Sequence, residues 1–336
     1  MSHSDQSRYG VAVNDTVSHI ADELFAPDAP HGVTLAMVVM HRGDVVFERY
    51  GVQPDSLFGP GGPVSADSTL ISWSMAKSIT HAAVGLLVAE GRLELDASVP
   101  VPEWRGTEKE AITLQHLLDM RPGLEWVEDY VDDSISHCIE MLFGRGQADM
   151  AAYAAALPLI HSPGSFWNYS SGTTNIVCRI MGDAIGGGRA GVEQFLHTRL
   201  FEPVGMHSAV PKFDDSGTFV GSSYVYATAR DFAKFGELYR NDGVVDGSRV
   251  LPEGWSAHAR SFVAQDEDEM DYGSHWWMWR DQPRSLACHG YEGQYCVVIP
   301  DKELVLVHLG KCPADTRAEL TRRLRAVVNS FERVAP

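Results

Sequence analysis

The stretch VTLAMVVMHRGDVVFERYG, residues 33–51, consists of two apolar runs joined by a short polar segment. Runs rich in valine that flank a tight Gly- and Asp-containing turn are typical of a β-hairpin. The turn accounts for the Arg-Gly-Asp triplet at 42–44, so the triplet needs no adhesion partner to explain it. A helix is predicted before this hairpin, from about Val11 to Leu24, and it would cover the strands.

The other end of the chain repeats this design. QYCVVIPDKELVLVHLGK, residues 294–311, has two apolar runs around a Pro-Asp turn, and an arginine-rich amphipathic helix is predicted from about Asp315 to Phe331. Between the two ends, from Lys77 to about Arg260, the sequence reads mainly as helices separated by Gly- and Pro-rich breaks.

These patterns predict an α/β (α+β) fold. An antiparallel sheet built from both chain ends would be flanked by the terminal helices and would carry a large, mainly helical insertion. We expect a discontinuous sheet domain at 1–76 and 240–336, and a helical domain at 77–239. The cleft between them is the natural place for an active site.

The composition of the chain argues against several classes of function. The chain has 336 residues, 44% hydrophobic residues and a net charge of −18, without a basic run that could follow nucleic acid or an anionic membrane. The first residues lack a signal-peptide pattern, and no run of about 18 apolar residues occurs, so a soluble cytoplasmic protein is expected. The five cysteines are irregularly spaced, which fits a reducing compartment and no disulfide framework.

SMAK, residues 74–77, places a serine three positions before a lysine at the start of an apolar helix. Residues three apart share a helix face, so the Lys77 amine can reach the Ser74 hydroxyl. The helix start and the apolar surroundings both favour neutral lysine, which is the form that accepts a proton. The alternative is an ordinary serine cap.

A second proton-transfer group is available in WNYSSGTTN, where Tyr169 lies in a polar loop between helices. A lysine cation nearby would lower the pKa of the phenol, and its oxygen could then relay the serine proton to the leaving group. Ser74, Lys77 and Tyr169 would act as nucleophile, base partner and proton shuttle, with no histidine or aspartate required.

A third segment, ACHGYEGQYCVVIP, carries Gly290 and Gly293 before a strand, which leaves room for a substrate backbone along the strand edge. The backbone amides of Ser74 and Tyr291 would form an oxyanion hole, worth roughly 3 to 4 kcal/mol per donor. The alternative is a glycine bend in a buried strand.

The combination of these motifs resembles the serine β-lactamase-related hydrolases, and in particular the class C-type esterases and 6-aminohexanoate-dimer hydrolases. The resemblance covers about residues 30 to 330. It rests on five segments in this order: SMAK (74–77), ITLQHLLDMRPGLEW (112–126), PGSFWNYSSGTTN (163–175), TARDFAKFGELY (228–239) and HGYEGQYCVVIP (289–300). The resemblance implies a penicillin-binding-protein fold and an acyl-enzyme on Ser74, with Lys77 and Tyr169 as its partners.

Two positions depart from the β-lactamase pattern. The Tyr-x-Asn motif ends in Ser171 here, and Cys288 and His289 precede Gly290 where lysine and threonine are found in the family. A cysteine cannot replace the lysine charge that binds a β-lactam carboxylate, so strong β-lactamase or peptidase activity is disfavoured. His289 could bind substrate or make an ordinary structural hydrogen bond.

Aromatic and acidic segments complete the candidate site. Tyr130 lies in a loop that the resemblance places over the substrate, and Trp277 belongs to a tryptophan cluster before the third motif; tryptophans of this kind can also be core residues. Acids of the Tyr130 loop could attract a cationic substrate end or form a solvated surface. These acids are Glu128, Asp129, Asp132 and Asp133.

The sequence therefore predicts a serine hydrolase that cleaves a small-molecule carboxylic ester or linear amide without a metal or organic cofactor. The chain lacks the G-x-S-x-G and H-E-x-x-H patterns of other hydrolases. One alternative is a penicillin-recognising protein with weak β-lactamase or D-peptidase activity. The other is a non-catalytic binding module on the same scaffold.

Overall fold

The computed structural model describes residues 15–55, 60–130, 135–266 and 270–334. The helices are α1 (Asp15–Leu24), α2 (Ala76–Ala89), α3 (Leu114–Leu118), α4 (His137–Phe143), α5 (Met150–Ala156), α6 (Ser171–Ile185), α7 (Gly188–Phe195), α8 (Glu202–Val204), α9 (Ala229–Arg240), α10 (Trp255–Ala259) and α11 (Arg317–Asn329). The strands are β1 (Val33–His41), β2 (Asp44–Tyr50), β3 (Val52–Gln53), β4 (Gly62–Pro63), β5 (Leu70–Ile71), β6 (Val210–Pro211), β7 (Val225–Ala227), β8 (Val244–Val245), β9 (Ser248–Arg249), β10 (Ala264–Gln265), β11 (Asp271–Tyr272), β12 (Trp277–Met278), β13 (Leu286–Gly290), β14 (Gln294–Ile299) and β15 (Leu304–Lys311).

The largest sheet joins the two ends of the chain. Within the described residues it has eight strands in the order β10-β11-β12-β13-β14-β15-β1-β2, and every neighbouring pair is antiparallel. At its centre β1 pairs with β15, with Val33 opposite Lys311 and His41 opposite Leu304. The predicted fold class, an antiparallel sheet built from both ends, is confirmed.

Both predicted hairpins are present. In the first, Arg42 and Gly43 connect β1 to β2 with φ values of 57° and 87°. Positive φ at both central residues is what a tight two-residue hairpin turn needs, and glycine adopts it without steric cost. The Arg-Gly-Asp triplet is thus accounted for by the turn.

The sheet is covered on both faces, which explains why β1 has a continuous apolar run, Leu35 to Met40, instead of alternating. Met37 and Val39 face a core shared with α1 and α11, while Ala36, Val38 and Met40 face a second core shared with α2 and α9. Successive strand residues point to opposite faces, so a strand covered on both sides must be apolar at every position.

The ends of the terminal helices differ slightly from the sequence prediction. Helix α1 is seen from Asp15, and Val11 lies outside the described residues. Helix α11 runs from Arg317 to Asn329 because Pro313 and a 3₁₀ turn at Ala314–Thr316 precede it. Proline cannot continue a helix from the preceding residues, so the α-helical hydrogen bonding begins only after that turn.

Helices are the main regular structure in the middle of the chain, as predicted. They are interrupted by a small sheet in the order β5-β7-β6. The run GGGRAG at 186–191 has the G-x-G-x-x-G spacing of dinucleotide-binding loops, but it joins α6 to α7 and does not follow a strand. Over residues 15–55, 60–130, 135–266 and 270–334, we find no helix with the length and apolarity needed to cross a membrane.

Candidate active site

Ser74 lies in a 3₁₀ turn, Trp73–Met75, that leads directly into α2. Lys77 therefore follows one turn later, and its Nζ donates a hydrogen bond to Ser74 Oγ at 3.1 Å. The lysine side chain is only 2% exposed, so this contact is shielded from bulk water. The predicted pairing of these two side chains is present.

Two further acceptors hold the Lys77 amine. Nζ donates to Ser171 Oγ at 2.9 Å and to the Ser222 carbonyl oxygen at 3.0 Å. Ser171 is the first residue of α6, and the serine before it caps that helix by accepting from the Thr173 amide. The cap fixes the start of α6 and with it the position of Ser171.

Tyr169 lies just before α6, and its ring is 4.9 Å from Lys77 Nζ. The pKa of the phenol is raised, chiefly by burial and also by the negative charge of Glu128, although Lys77 and a hydrogen bond with Ser74 lower it. The effect expected of the lysine cation is present, but the predicted net fall of the Tyr169 pKa was wrong, because the desolvation of a buried phenolate outweighs the attraction of the cation.

Glu128 is not on the solvated surface that the sequence favoured for it. Its carboxylate accepts from Trp126 Nε1 at 2.5 Å, from Tyr130 Oη at 2.7 Å, and from the amide and hydroxyl of Ser171 at 2.8 and 2.6 Å. A carboxylate held by four donors loses little from partial burial, since its lone pairs are satisfied. The Ser171 hydroxyl therefore connects Glu128 to Lys77.

The other acids of this loop differ in position. The Asp129 side chain accepts from the Tyr130 amide at 2.6 Å and so shapes the loop locally. Asp132 and Asp133 lie outside the described residues.

The segment around Tyr291 approaches the Ser74 turn closely. A Cβ placed on Gly290 would lie 2.5 Å from the Ser72 carbonyl oxygen, so only glycine allows this approach. Trp73 Nε1 donates to Glu292 at 3.1 Å, and Lys311 binds the same Glu292 oxygen at 2.6 Å. These contacts hold the segment that contains Tyr291 against the turn that contains Ser74; the oxyanion hole formed by their two amides stays a prediction.

Ser74 lies where two cavities meet. The first has a volume of about 260 Å³. One of its walls is formed by apolar residues of α4: Cys138, Ile139, Leu142 and Phe143. The second, about 440 Å³, is more polar. Tyr130 and Tyr291 line both cavities, and their rings are 5.0 Å apart beside Ser74.

Of the tryptophan cluster, Trp277 alone among 276, 277 and 279 lines the polar cavity, and its ring packs 5.4 Å from that of Tyr169. Trp276 and Trp279 are 0% and 1% exposed and belong to the core. The sequence could not separate them, because strand alternation is broken by the turn between β12 and β13.

The third motif carries no cation at the positions where the family has lysine and threonine. Cys288 is buried, which raises its pKa well above the usual range, so it stays an uncharged thiol. His289 lines the polar cavity and accepts from Trp279 Nε1 at 3.2 Å, and burial lowers its pKa to about 3. The structural hydrogen bond considered for His289 is present.

Sequence reasoning missed three contributors: the role of Glu128, the Ser222 carbonyl and Arg317, which lines the polar cavity with Ser74. One signal was available for Glu128. In an extended segment, residues two apart point to the same side, and Trp126, Glu128 and Tyr130 alternate in this way. Ser222 and Arg317 come from distant segments and leave no such pattern.

The fold and the Ser-x-x-Lys site define a class, the hydrolases with a β-lactamase fold. The family model described as Beta-lactamase matches residues 21–329, so the chain belongs to the β-lactamase family. The resemblance inferred from the motifs is confirmed.

Individual relatives of this chain are named for different activities. The 6-aminohexanoate-dimer hydrolase of Paenarthrobacter ureafaciens is 27% identical, over 84% of this chain and 74% of that protein. Penicillin-binding protein 4 of Amycolatopsis lactamdurans is 26% identical, over 65% of this chain and 63% of that protein.

Solved structures support the fold. A family VIII carboxylesterase superposes with a TM-score of 0.72 at 16% identity, covering 95% of this chain and 98% of that one. A putative 6-aminohexanoate-dimer hydrolase from Bacillus anthracis gives 0.71 at 23% identity, covering 88% and 78%.

Proposed function

We propose that the protein is a serine hydrolase that cleaves a carboxylic ester or a linear amide through an acyl-enzyme on Ser74. The observation that carries this proposal is the 3.1 Å contact between Lys77 Nζ and Ser74 Oγ at the junction of two cavities. A nucleophile next to a buried amine, and open to substrate, is the arrangement that covalent catalysis requires.

The reaction has two steps. Ser74 Oγ attacks the substrate carbonyl as its proton passes to the Lys77–Tyr169 pair, and the carbonyl electron pair moves onto the oxygen, where the Ser74 and Tyr291 amides stabilise it. The leaving alcohol or amine takes up the proton as its bond to carbon breaks. Water then attacks the acyl carbon and gives a proton to the same pair. The bond from that carbon to Ser74 Oγ breaks, Oγ takes up this proton, and the acid is released.

The two cavities indicate the kind of substrate. The apolar cavity suits an uncharged hydrocarbon group on one side of the scissile bond, and the polar cavity suits the other side. Cys288 and His289 supply no cation for a β-lactam carboxylate. An ester or amide with one aliphatic group therefore fits better than a penicillin.

One observation favours a second candidate function, a penicillin-recognising protein with weak β-lactamase or D-peptidase activity. The Arg317 guanidinium lines the polar cavity together with Ser74. Guanidinium is a strong partner for carboxylate, so Arg317 could take over the role that lysine has in the third motif of the family.

The test compares p-nitrophenyl acetate and butyrate with nitrocefin. We expect ester hydrolysis, absent in Ser74→Ala, with kcat/KM rising by up to about fourfold for each methylene that enters the apolar cavity. Ester cleavage that survives Ser74→Ala would refute the nucleophile. Efficient nitrocefin turnover that is lost in Arg317→Ala, with negligible ester cleavage, would establish the second candidate instead.

A further inference from the structure

Glu128 determines which way the hydrogen bonds around Lys77 run. Ionised carboxylate can only accept, so the single proton of the Ser171 hydroxyl is given to Glu128 Oε1, 2.6 Å away. Ser171 Oγ then has only lone pairs left for Lys77 Nζ, at 2.9 Å. Ser171 is 1% exposed, so water does not compete for these positions.

The same constraint acts on the Lys77 amine. One N–H is used on Ser171, and a second on the Ser222 carbonyl, which is also only an acceptor. A neutral amine has two hydrogens and one lone pair. In this neutral form both hydrogens are committed, so the lone pair faces Ser74 Oγ at 3.1 Å, which accepts from the amine when the lysine is protonated; the Tyr169 hydroxyl is the other group within reach of the amine.

We propose that Glu128 is a positioning residue that, through Ser171, directs the lone pair of the neutral Lys77 amine at the Ser74 hydroxyl. This deepens the proposed function and rests on it. In acylation, the Ser74 proton then moves to Lys77 Nζ while Oγ bonds to the substrate carbon. The resulting ammonium keeps both of its earlier hydrogen bonds and can return the new proton to the leaving group through Tyr169.

Glu128 also acts on Lys77 by charge. Burial keeps several titratable groups around the pair uncharged near neutral pH: it raises the pKa values of Tyr130, Tyr169, Tyr272 and Cys138, and lowers that of His275. Asp266 and Arg317 line the polar cavity with Glu128 and are the charged groups on that side. Glu128 therefore places a negative charge next to the Ser171–Lys77 pair. Removing this charge is expected to move the acidic limb of the acylation rate to lower pH, because a carboxylate favours a nearby cation.

Glu128→Gln tests both effects. The glutamine oxygen can replace Oε2, where the Trp126 and Ser171 N–H groups donate, but its NH₂ then faces the Ser171 hydroxyl. Ser171 would become an acceptor for that NH₂ and turn its own proton toward Lys77. The lone pair would then be directed at Ser171 and away from Ser74.

The measurement is the acylation burst with p-nitrophenyl butyrate between about pH 5.5 and 9. For Glu128→Gln we expect a burst rate lower by roughly 10- to 100-fold on the plateau. The acidic limb should move to lower pH. Glu125→Gln removes a charge from the same segment outside either cavity and should leave both unchanged.

A double-mutant cycle separates this role from simple anchoring of the Tyr130 loop. If Glu128 acts through Ser171, Glu128→Gln adds little to the rate loss of Ser171→Ala, whereas independent effects would multiply. Ser171→Ala also retains the Glu128 charge, so its slower burst should keep the acidic limb near that of the wild type. This variant keeps the proposal testable should Glu128→Gln fold poorly.

The outcomes are distinct from those for the proposed function. An unmoved acidic limb in folded Glu128→Gln, or rate losses that multiply in the cycle, would overturn the role of Glu128 while the wild type still hydrolyses esters. Hydrolysis that persists without Ser74 would overturn the proposed function itself.

Discussion

At the scale of single residues, several histidines are almost fully enclosed by the fold, and three of them bear on stability. His81 and His308 are 0% exposed and His275 is 2% exposed. Burial lowers the pKa of His275 to about 3 and that of His308 to about 4, and it lowers the pKa of His81 well below the usual range. All three are neutral in the folded protein near neutral pH.

These lowered pKa values predict how stability depends on pH. The unfolded chain binds a proton at each histidine below about pH 6.5, while the folded chain does not until far lower pH. The stability that these neutral histidines contribute is therefore complete above about pH 6.5. The free energy of unfolding should decrease as the pH falls below that value. Each buried histidine contributes a slope of up to about 1.4 kcal/mol per pH unit.

Urea unfolding from about pH 6.5 to 5 measures this slope in a window above most carboxylate titration. His308→Gln should flatten the slope by about one proton's contribution. His207→Gln, at an exposed residue, should leave it unchanged. Equal slopes in the wild type and His308→Gln would contradict the assignment of a neutral buried histidine.

The sequence predicted which residues form the site better than it predicted the environment of each side chain. The contact between Ser74 and Lys77 followed from their three-residue spacing, which places two side chains on the same face of a helix. The raised pKa of Tyr169 and the enclosure of Glu128 did not follow from the sequence. Both depend on desolvation by segments that are distant in the chain.

At the scale of elements, α9 packs against the central sheet through Gly236. A Cβ at this position would lie 2.6 Å from Val305 Cγ1 and 2.8 Å from Cys296 Sγ, on two neighbouring strands. Branched and buried neighbours cannot move aside easily. The absence of a side chain at Gly236 thus sets the distance between helix and sheet.

Gly236→Ala should destabilise the protein by about 1 to 3 kcal/mol through overpacking, even though alanine is the better helix former. Gly182→Ala in α6 is the matched control. Its Cβ would meet only Val192 Cγ2, at 3.6 Å, so this change should be neutral or stabilise by up to about 1 kcal/mol. Thermal unfolding measures both, and equal shifts in the two variants would refute the packing role.

The long elements were predictable because each has its own hydrophobic periodicity and is bounded by residues that end a helix or strand. Both hairpins and α11 were found to within a few residues. Strands such as β11 and β12 were not, because each has two residues and too short a pattern to detect. β12 pairs with the edge of β13, and β11 pairs in turn with β12.

At the scale of the whole molecule, the fold closes by pairing the first long strand with the last. The register of β1 on β15 brings together residues nearly the full chain length apart. The sequence predicted that both ends share a sheet, since each supplies a hairpin and a covering helix. Strand order depends on side-chain packing between the hairpins, which no local pattern encodes. The division at residues 76 and 240 into two domains stays a prediction.

The most direct test of Ser74 as nucleophile is mass spectrometry of the intact protein after reaction with a fluorophosphonate, followed by peptide mapping. We expect one adduct, on the peptide that contains residues 74–77, and none in Ser74→Ala. An adduct on another residue, or undiminished labelling of Ser74→Ala, would contradict the acyl-enzyme mechanism.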